Sequence, residues 1–81
     1  METILNKFNS LNLKNIKIQA ITDHDSHYVL EINGGFNGSG NWKMYLTQLR
    51  SIIDAFEEAY IIDLSYDCLD DIWYLTLGIS K

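Results

Sequence analysis

Four side chains able to ligate a metal fall within five residues of this chain: Asp23, His24, Asp25 and His27, in the stretch DHDSH. Imidazole nitrogens and carboxylate oxygens are the donors that zinc and related ions accept, and such ions need three or four of them around one point. The sequence offers no second ligand cluster, and its single cysteine, Cys68, is remote. An ion here would rest on one flexible turn. We therefore read DHDSH as the solvated tip of a hairpin and assign no metal to it.

Cys68 is also the one candidate nucleophile of its kind. A reactive thiolate needs positive charge nearby or a helix N-terminus. Its neighbours are Asp67, Asp70 and Asp71, which make ionising the thiol harder, so it reads as a packing residue or an idle thiol in a turn. The same three carboxylates could divide acid and base roles only inside a cleft that drives their pKa values apart. A chain of 81 residues has little material for such a cleft. We expect a solvated turn there, no catalytic residues and no enzymatic activity.

The stretch GGFNGSGNWK, residues 34–43, holds four of the five glycines and precedes the best helical pattern of the chain. Glycines at a helix start can turn several backbone N–H groups onto a phosphate. Here Asn41 follows Gly40, so the Gly-Lys-Ser/Thr ending of a P-loop is missing, and Lys43 replaces it only in part. The preceding strand belongs to a hairpin, whereas nucleotide motifs sit in parallel units. The stretch reads as a hinge without a cofactor, and Phe36 and Trp42 at its ends could present an aromatic pair to a protein partner.

The elements that must position these groups follow from periodicity. Ile4, Leu5, Phe8 and Leu11 predict a short helix over residues 3–10. Ile16, Ile18 and Ala20 alternate with Lys17 and Gln19, and Tyr28, Leu30 and Ile32 with His27, Val29 and Glu31, which predicts two strands joined at DHDS. Trp42, Leu46, Leu49, Ile53 and Phe56, widened by Tyr45 and Ile52, form the apolar stripe of a long helix running to about residue 59, capped by Ser39 or Asn41. Tyr60, Ile62, Leu64 and Tyr66 then alternate with Asp63 and Ser65, and Trp73, Leu75, Leu77 and Ile79 with Tyr74, Thr76 and Gly78. The expected fold is α+β, a single domain over residues 1–81. It is a two-layer sandwich in αββαββ order, with a four-stranded, largely antiparallel sheet and the long helix on one face.

Composition narrows the function. Apolar residues make up 47% of the chain, yet no window nears the roughly 18 apolar residues that cross a bilayer. METILNKFNS does not read as a secretory leader, and a lone cysteine does not suit a small secreted scaffold, so we expect a cytoplasmic protein, in a host cell if it is phage-encoded. A net charge of −5 argues against direct binding to nucleic acid or anionic membrane. The acidity is lopsided: residues 1–40 hold three basic and four acidic groups, residues 41–81 three and seven.

The long helix carries its charges against its dipole, with Lys43 at its start and Asp54, Glu57 and Glu58 towards its end. Departures from local consistency gather at functional positions. We read these three acids, with Asp63, Asp67, Asp70 and Asp71, as an acidic contact surface, and Phe36, Trp42 and Tyr74 as its aromatic anchors. The sheet face away from the long helix should carry Ile21, Val29, Ile61, Ile72 and Tyr74 among polar groups, open to the N-terminal helix, a second subunit or a target.

In size, acidity and lack of a catalytic set, the chain resembles, as a class only, the small inhibitors encoded by phages and mobile elements, such as anti-CRISPR, other anti-defence and toxin-immunity proteins. The function expected is blocking of a basic surface on a nucleic-acid-handling enzyme or toxin. The alternatives are a metal-dependent or phosphate-binding module using DHDSH and the glycine-rich loop, and a homo-oligomeric structural subunit, a homodimer included.

Overall fold

The computed structural model describes residues 2–35 and 42–81, except for the side chains of Trp42 and Met44. The elements run α1 (Glu2–Ser10), β1 (Ile16–Asp23), β2 (His27–Gly35), α2 (Trp42–Ala55), β3 (Ala59–Asp67) and β4 (Ile72–Ser80). The αββαββ order and the antiparallel four-stranded sheet are those expected from the sequence. The glycine-loop expectations (a phosphate cradle or hinge, Phe36, and the caps Ser39 and Asn41) fall outside the described residues.

α1 forms because Ile4 and Phe8 share one face, with Glu2 and Lys7 placed to suit the helix dipole. It ends in a tightened turn, Leu11 N–H donating to Phe8 O at 3.1 Å and Asn12 N–H to Asn9 O at 3.3 Å. Asn12 then takes the left-handed conformation, φ 52°, which asparagine tolerates better than most residues.

α2 is shorter than its periodicity predicts, 14 residues ending at Ala55. Phe56 is driven into the core, its N–H still donating to Ile52 O at 3.2 Å. The chain reverses immediately afterwards, Ala59 N–H donating to Phe56 O at 2.9 Å, so that β3 can begin. Glu57 and Glu58 therefore sit in a connection and not in a helical last turn. The buried stripe is also rotated from the expected one. Tyr45, Ile52 and Phe56 are buried, whereas Leu46 is 57% exposed and Ile53 lies at the surface.

The strands lie in the order β1-β2-β4-β3, each antiparallel to its neighbours. Register places Ile18, Ile32, Leu75 and Leu64 in one row across the sheet, and Ile21, Leu30, Leu77 and Ile61 in the next. Both rows face the helices. Ile4 and Phe8 of α1 join Tyr45, Ile52 and Phe56 of α2 over Leu30, Ile32, Trp73, Leu75 and Leu77 in a single core. α1 thus packs on the same face as α2 and leaves the opposite face open.

Two β-bulges change which residues face the core. Pairing skips from Ile18 to Ala20 on β1 and from Ile61 to Asp63 on β3, leaving Gln19 and Ile62 without partners in the ladder. A one-residue insertion flips every later side chain. Ile21, after its bulge, consequently points to the helices opposite Leu30, and Ile61, just before the other bulge, shares the helix side with Leu64 and lies opposite Leu77, correcting their expected place on the far face. Leu64 and Tyr66 face the helices as expected, but Tyr60 does not: it pairs with Gly78 on the far side. That far face is mainly polar, with rows such as Ala20-Glu31-Thr76-Asp63 and Lys17-Asn33-Tyr74-Ser65.

Glycine is required at two close approaches. At Gly34 a Cβ would stand 2.7 Å from the Trp73 ring and 2.9 Å from Asn15 O, and at Gly78 it would enter the Tyr60 ring.

Candidate protein-binding surface

The helices do not cover β3. In the row Ile18-Ile32-Leu75-Leu64, Leu75 is fully buried while Leu64 keeps 44% of its surface exposed. In the neighbouring row Leu77 is fully buried and Ile61 is 50% exposed. Tyr66, opposite buried Trp73, is 41% exposed. The helix-side face of β3 is therefore an apolar strip continuous with the core but open to water. Leu69, in the turn that follows, is 92% exposed. Contiguous exposed apolar surface with a polar rim marks interaction sites in small proteins.

β3 is also an edge. It pairs with β4 on one side, and no described strand pairs with its other side. Edges are usually blunted by lysine, proline or bulges, because their free N–H and C=O groups recruit other strands. β3 has a bulge at Ile62 but no proline and no basic residue, and from Asp63 to Asp67 its register is regular. β1, the other edge, differs in that Ile16, Ile18 and Ile21 are half-buried against the core.

The rim is acidic. Residues 51–80 contain seven carboxylates and no Lys, Arg or His. Asp63 and Asp67 project from the far face of β3, opposite Thr76 and Ile72. Glu57 and Glu58 are exposed just before β3, and Asp70 just after it. Asp54 pairs with Arg50, one helical turn earlier, at 3.7 Å, with both side chains largely exposed. Such a pair is weak and screened. Tyr74 lies on the far face and is 41% exposed, while the side chain of Trp42 and all of Phe36 are outside the described residues.

The DCLDD turn is a structural device. Asp67 Oδ1 accepts from Leu69 N–H at 2.9 Å and from Asp70 N–H at 3.4 Å, the local bonding that makes aspartate a turn residue. Asp71 adopts φ 56° and accepts from the Tyr66 hydroxyl at 2.5 Å. That bond to a carboxylate, aided by the neighbouring negative charge, pushes the Tyr66 phenol up to about 12. Cys68 is exposed.

At the hairpin tip, His24 N–H donates to His27 O at 2.9 Å and the two rings stack with centroids 4.8 Å apart. His27 Nδ1 lies 2.9 Å from Ser26 Oγ, and Asp23 is taken up by Lys81 Nζ. Among the described residues no three His, Cys, Asp or Glu side chains are placed to hold one ion. A shallow depression of about 540 Å³ lies at the opposite end of β1 and β2, between Lys17, Asn33, Gly34, Asp70 and Asp71. No described helix is long and apolar enough to cross a membrane.

No family model, no curated protein and no solved structure matches this chain.

The run of acids around β3 is legible in the sequence, and Tyr74, read there as an aromatic anchor, stands on the far face, away from the β3 strip. Ile61 is legible only as a member of a half-apolar sheet face, expected on the wrong side, and Leu64, Tyr66 and Leu69 are not legible as surface residues, because an uncovered strand has the same composition as a covered one. The adjacent Ile61 and Ile62, which interrupt strict alternation, are the one local signal of the bulge.

Proposed function

We propose that this protein acts by binding another protein through the uncovered face and edge of β3, and that the partner's surface is basic. The observation that carries this reading is the contrast within single rows of the sheet, where Leu75 and Leu77 are fully buried beside half-exposed Leu64 and Ile61. Apolar contact supplies affinity, and the surrounding carboxylates supply steering and selection against acidic partners. The form of the activity is inhibition by occlusion: a small acidic domain seated on a basic surface of a nucleic-acid-handling enzyme or toxin, in the cytoplasm. Its size and charge, 81 residues and −5, support this form.

A second copy fits the same face less well, since self-pairing brings the carboxylates of both copies together with no base between them. The test compares the wild-type chain with Ile61→Ser/Leu64→Ser as immobilised baits in lysate of its own source. A basic protein held by the wild type, released by added salt and absent from the variant supports the reading. Retention of the same protein by both baits removes β3 from it, and a stable homodimer disrupted by the two substitutions replaces the reading with self-association.

A further inference from the structure

We infer that the partner engages β3 as an added strand, in an extended segment that alternates basic and apolar residues, and not by laying a preformed surface on it. This rests on the β3 reading above and deepens it. Strand addition needs an unpaired edge, a regular register and side-chain contacts that alternate between faces. β3 provides all three from Asp63 to Asp67: Asp63, Ser65 and Asp67 point to the polar far face, and Leu64 and Tyr66 to the helix side.

A strand laid along this edge places its residues opposite these in turn. Its first and fifth residues face Asp63 and Asp67, its second and fourth extend the apolar strip beside Leu64 and Tyr66, and its third faces Ser65. The segment recognised is basic, apolar, small, apolar, basic, and this order reads the same in either strand direction. Opposite charges directly across a ladder stabilise pairing and like charges oppose it. The same rule disfavours a second copy: a two-fold axis at Ser65 sets Asp63 against the other copy's Asp67 twice over. β1 is a poorer host for this segment, since Lys17 lies on its far face and its helix-side residues are already packed.

The experiment titrates the full isotopically labelled chain with a soluble peptide containing Lys-Val-Thr-Val-Lys, a matched peptide containing Glu-Val-Thr-Val-Glu, and one with the alternation displaced, Lys-Thr-Val-Thr-Lys. The expected result is saturable binding of the first peptide only, with amide shifts centred on residues 63–67, new inter-strand main-chain contacts, and slowed amide exchange along β3. Asp63→Lys weakens that binding by roughly threefold to tenfold and regains it with a peptide carrying Glu at the matching end. Asp67 is left alone because it holds the following turn.

Binding that perturbs the Ile61 and Leu64 methyl groups without new main-chain contacts overturns strand addition and leaves the β3 face as the docking surface. Shifts confined to β1 or the far face, equal binding of all three peptides, or no binding at all overturn the inference. The bait comparison then decides separately whether β3 binds a folded partner. Line broadening without peptide that depends on protein concentration, with contacts between copies at β3, assigns the edge to self-association and overturns it as well.

Discussion

Leu75 and Leu64 are paired across β4 and β3 on the same face of the sheet, yet Leu75 is fully buried and Leu64 is 44% exposed. Two leucines of one row thus have different roles, one closing the core and the other facing water. Truncation should separate them. Leu75→Ala is expected to cost about 2–5 kcal/mol, the range for a core leucine whose cavity cannot fully collapse. Leu64→Ser should cost less than about 1 kcal/mol, as for surface changes outside special features. Urea unfolding of the two variants checks this, and equal losses would mean that Leu64 is covered in solution and unavailable to a partner.

The two close-approach glycines should respond unequally to a methyl group. At Gly34 the new Cβ meets the buried Trp73 ring, Asn15 O and the Ile16 side chain, so Gly34→Ala should destabilise by about 1–3 kcal/mol through overpacking. At Gly78 the obstacle is the Tyr60 ring, which is 46% exposed and free to swing outward. Gly78→Ala should therefore be the milder change, and Tyr60→Ala should remove most of its effect. A double-mutant cycle by thermal or chemical unfolding measures that coupling.

The Tyr66–Asp71 bond predicts a late tyrosine titration. The protein's other tyrosines aside, one phenol should ionise near 12, and Asp71→Asn should bring it down towards the ordinary value of 10. Asparagine tolerates the left-handed backbone at this position, so the substitution removes charge with little conformational change. Because the folded value lies above the unfolded one, the stability this bond contributes is fully present below pH 10 and is lost as pH rises through about 12. Absorbance at the phenolate band, followed in wild type and variant, reports the shift; an unchanged titration in Asp71→Asn would place its cause elsewhere.

Lys81 and Asp23 tie the end of β4's chain to the β1–β2 hairpin, and Lys81 N–H also donates to Ser26 O at 3.1 Å. The bond from Lys81 holds the Asp23 carboxyl below 3.8, and the same bond raises the Lys81 amine above 10.5. The two signs bracket a plateau. The Asp23 contribution is present above pH 3.8 and lost as pH falls through its lowered value, and the Lys81 contribution is present below pH 10.5 and lost as pH rises through its raised one. Amide-exchange protection at the hairpin tip should therefore fall at both extremes in the wild type. In Lys81→Ala it should be low throughout, with little change in global stability, because the pair is exposed and screened.

The six elements, their order and most of the core can be read from the residues alone, because a period of 3.6 or 2 in apolar residues is a local property of the chain. Leu30, Ile32, Trp73, Leu75 and Leu77 were placed correctly by alternation alone. The seven acids clustered in the second half were equally legible. The helix length was not, since the pull of Phe56 into the core and the reversal at Glu57 and Glu58 arise only when β3 has somewhere to go. The strand order β1-β2-β4-β3, the bulge at Gln19 and the shared face of the two helices arise from contacts between distant segments, and AYIID carries only a trace of the second bulge. Which strand stays uncovered follows from how far two short helices reach across four strands. That reach is set by packing between distant residues, and no local pattern in AYIIDLSYD records it.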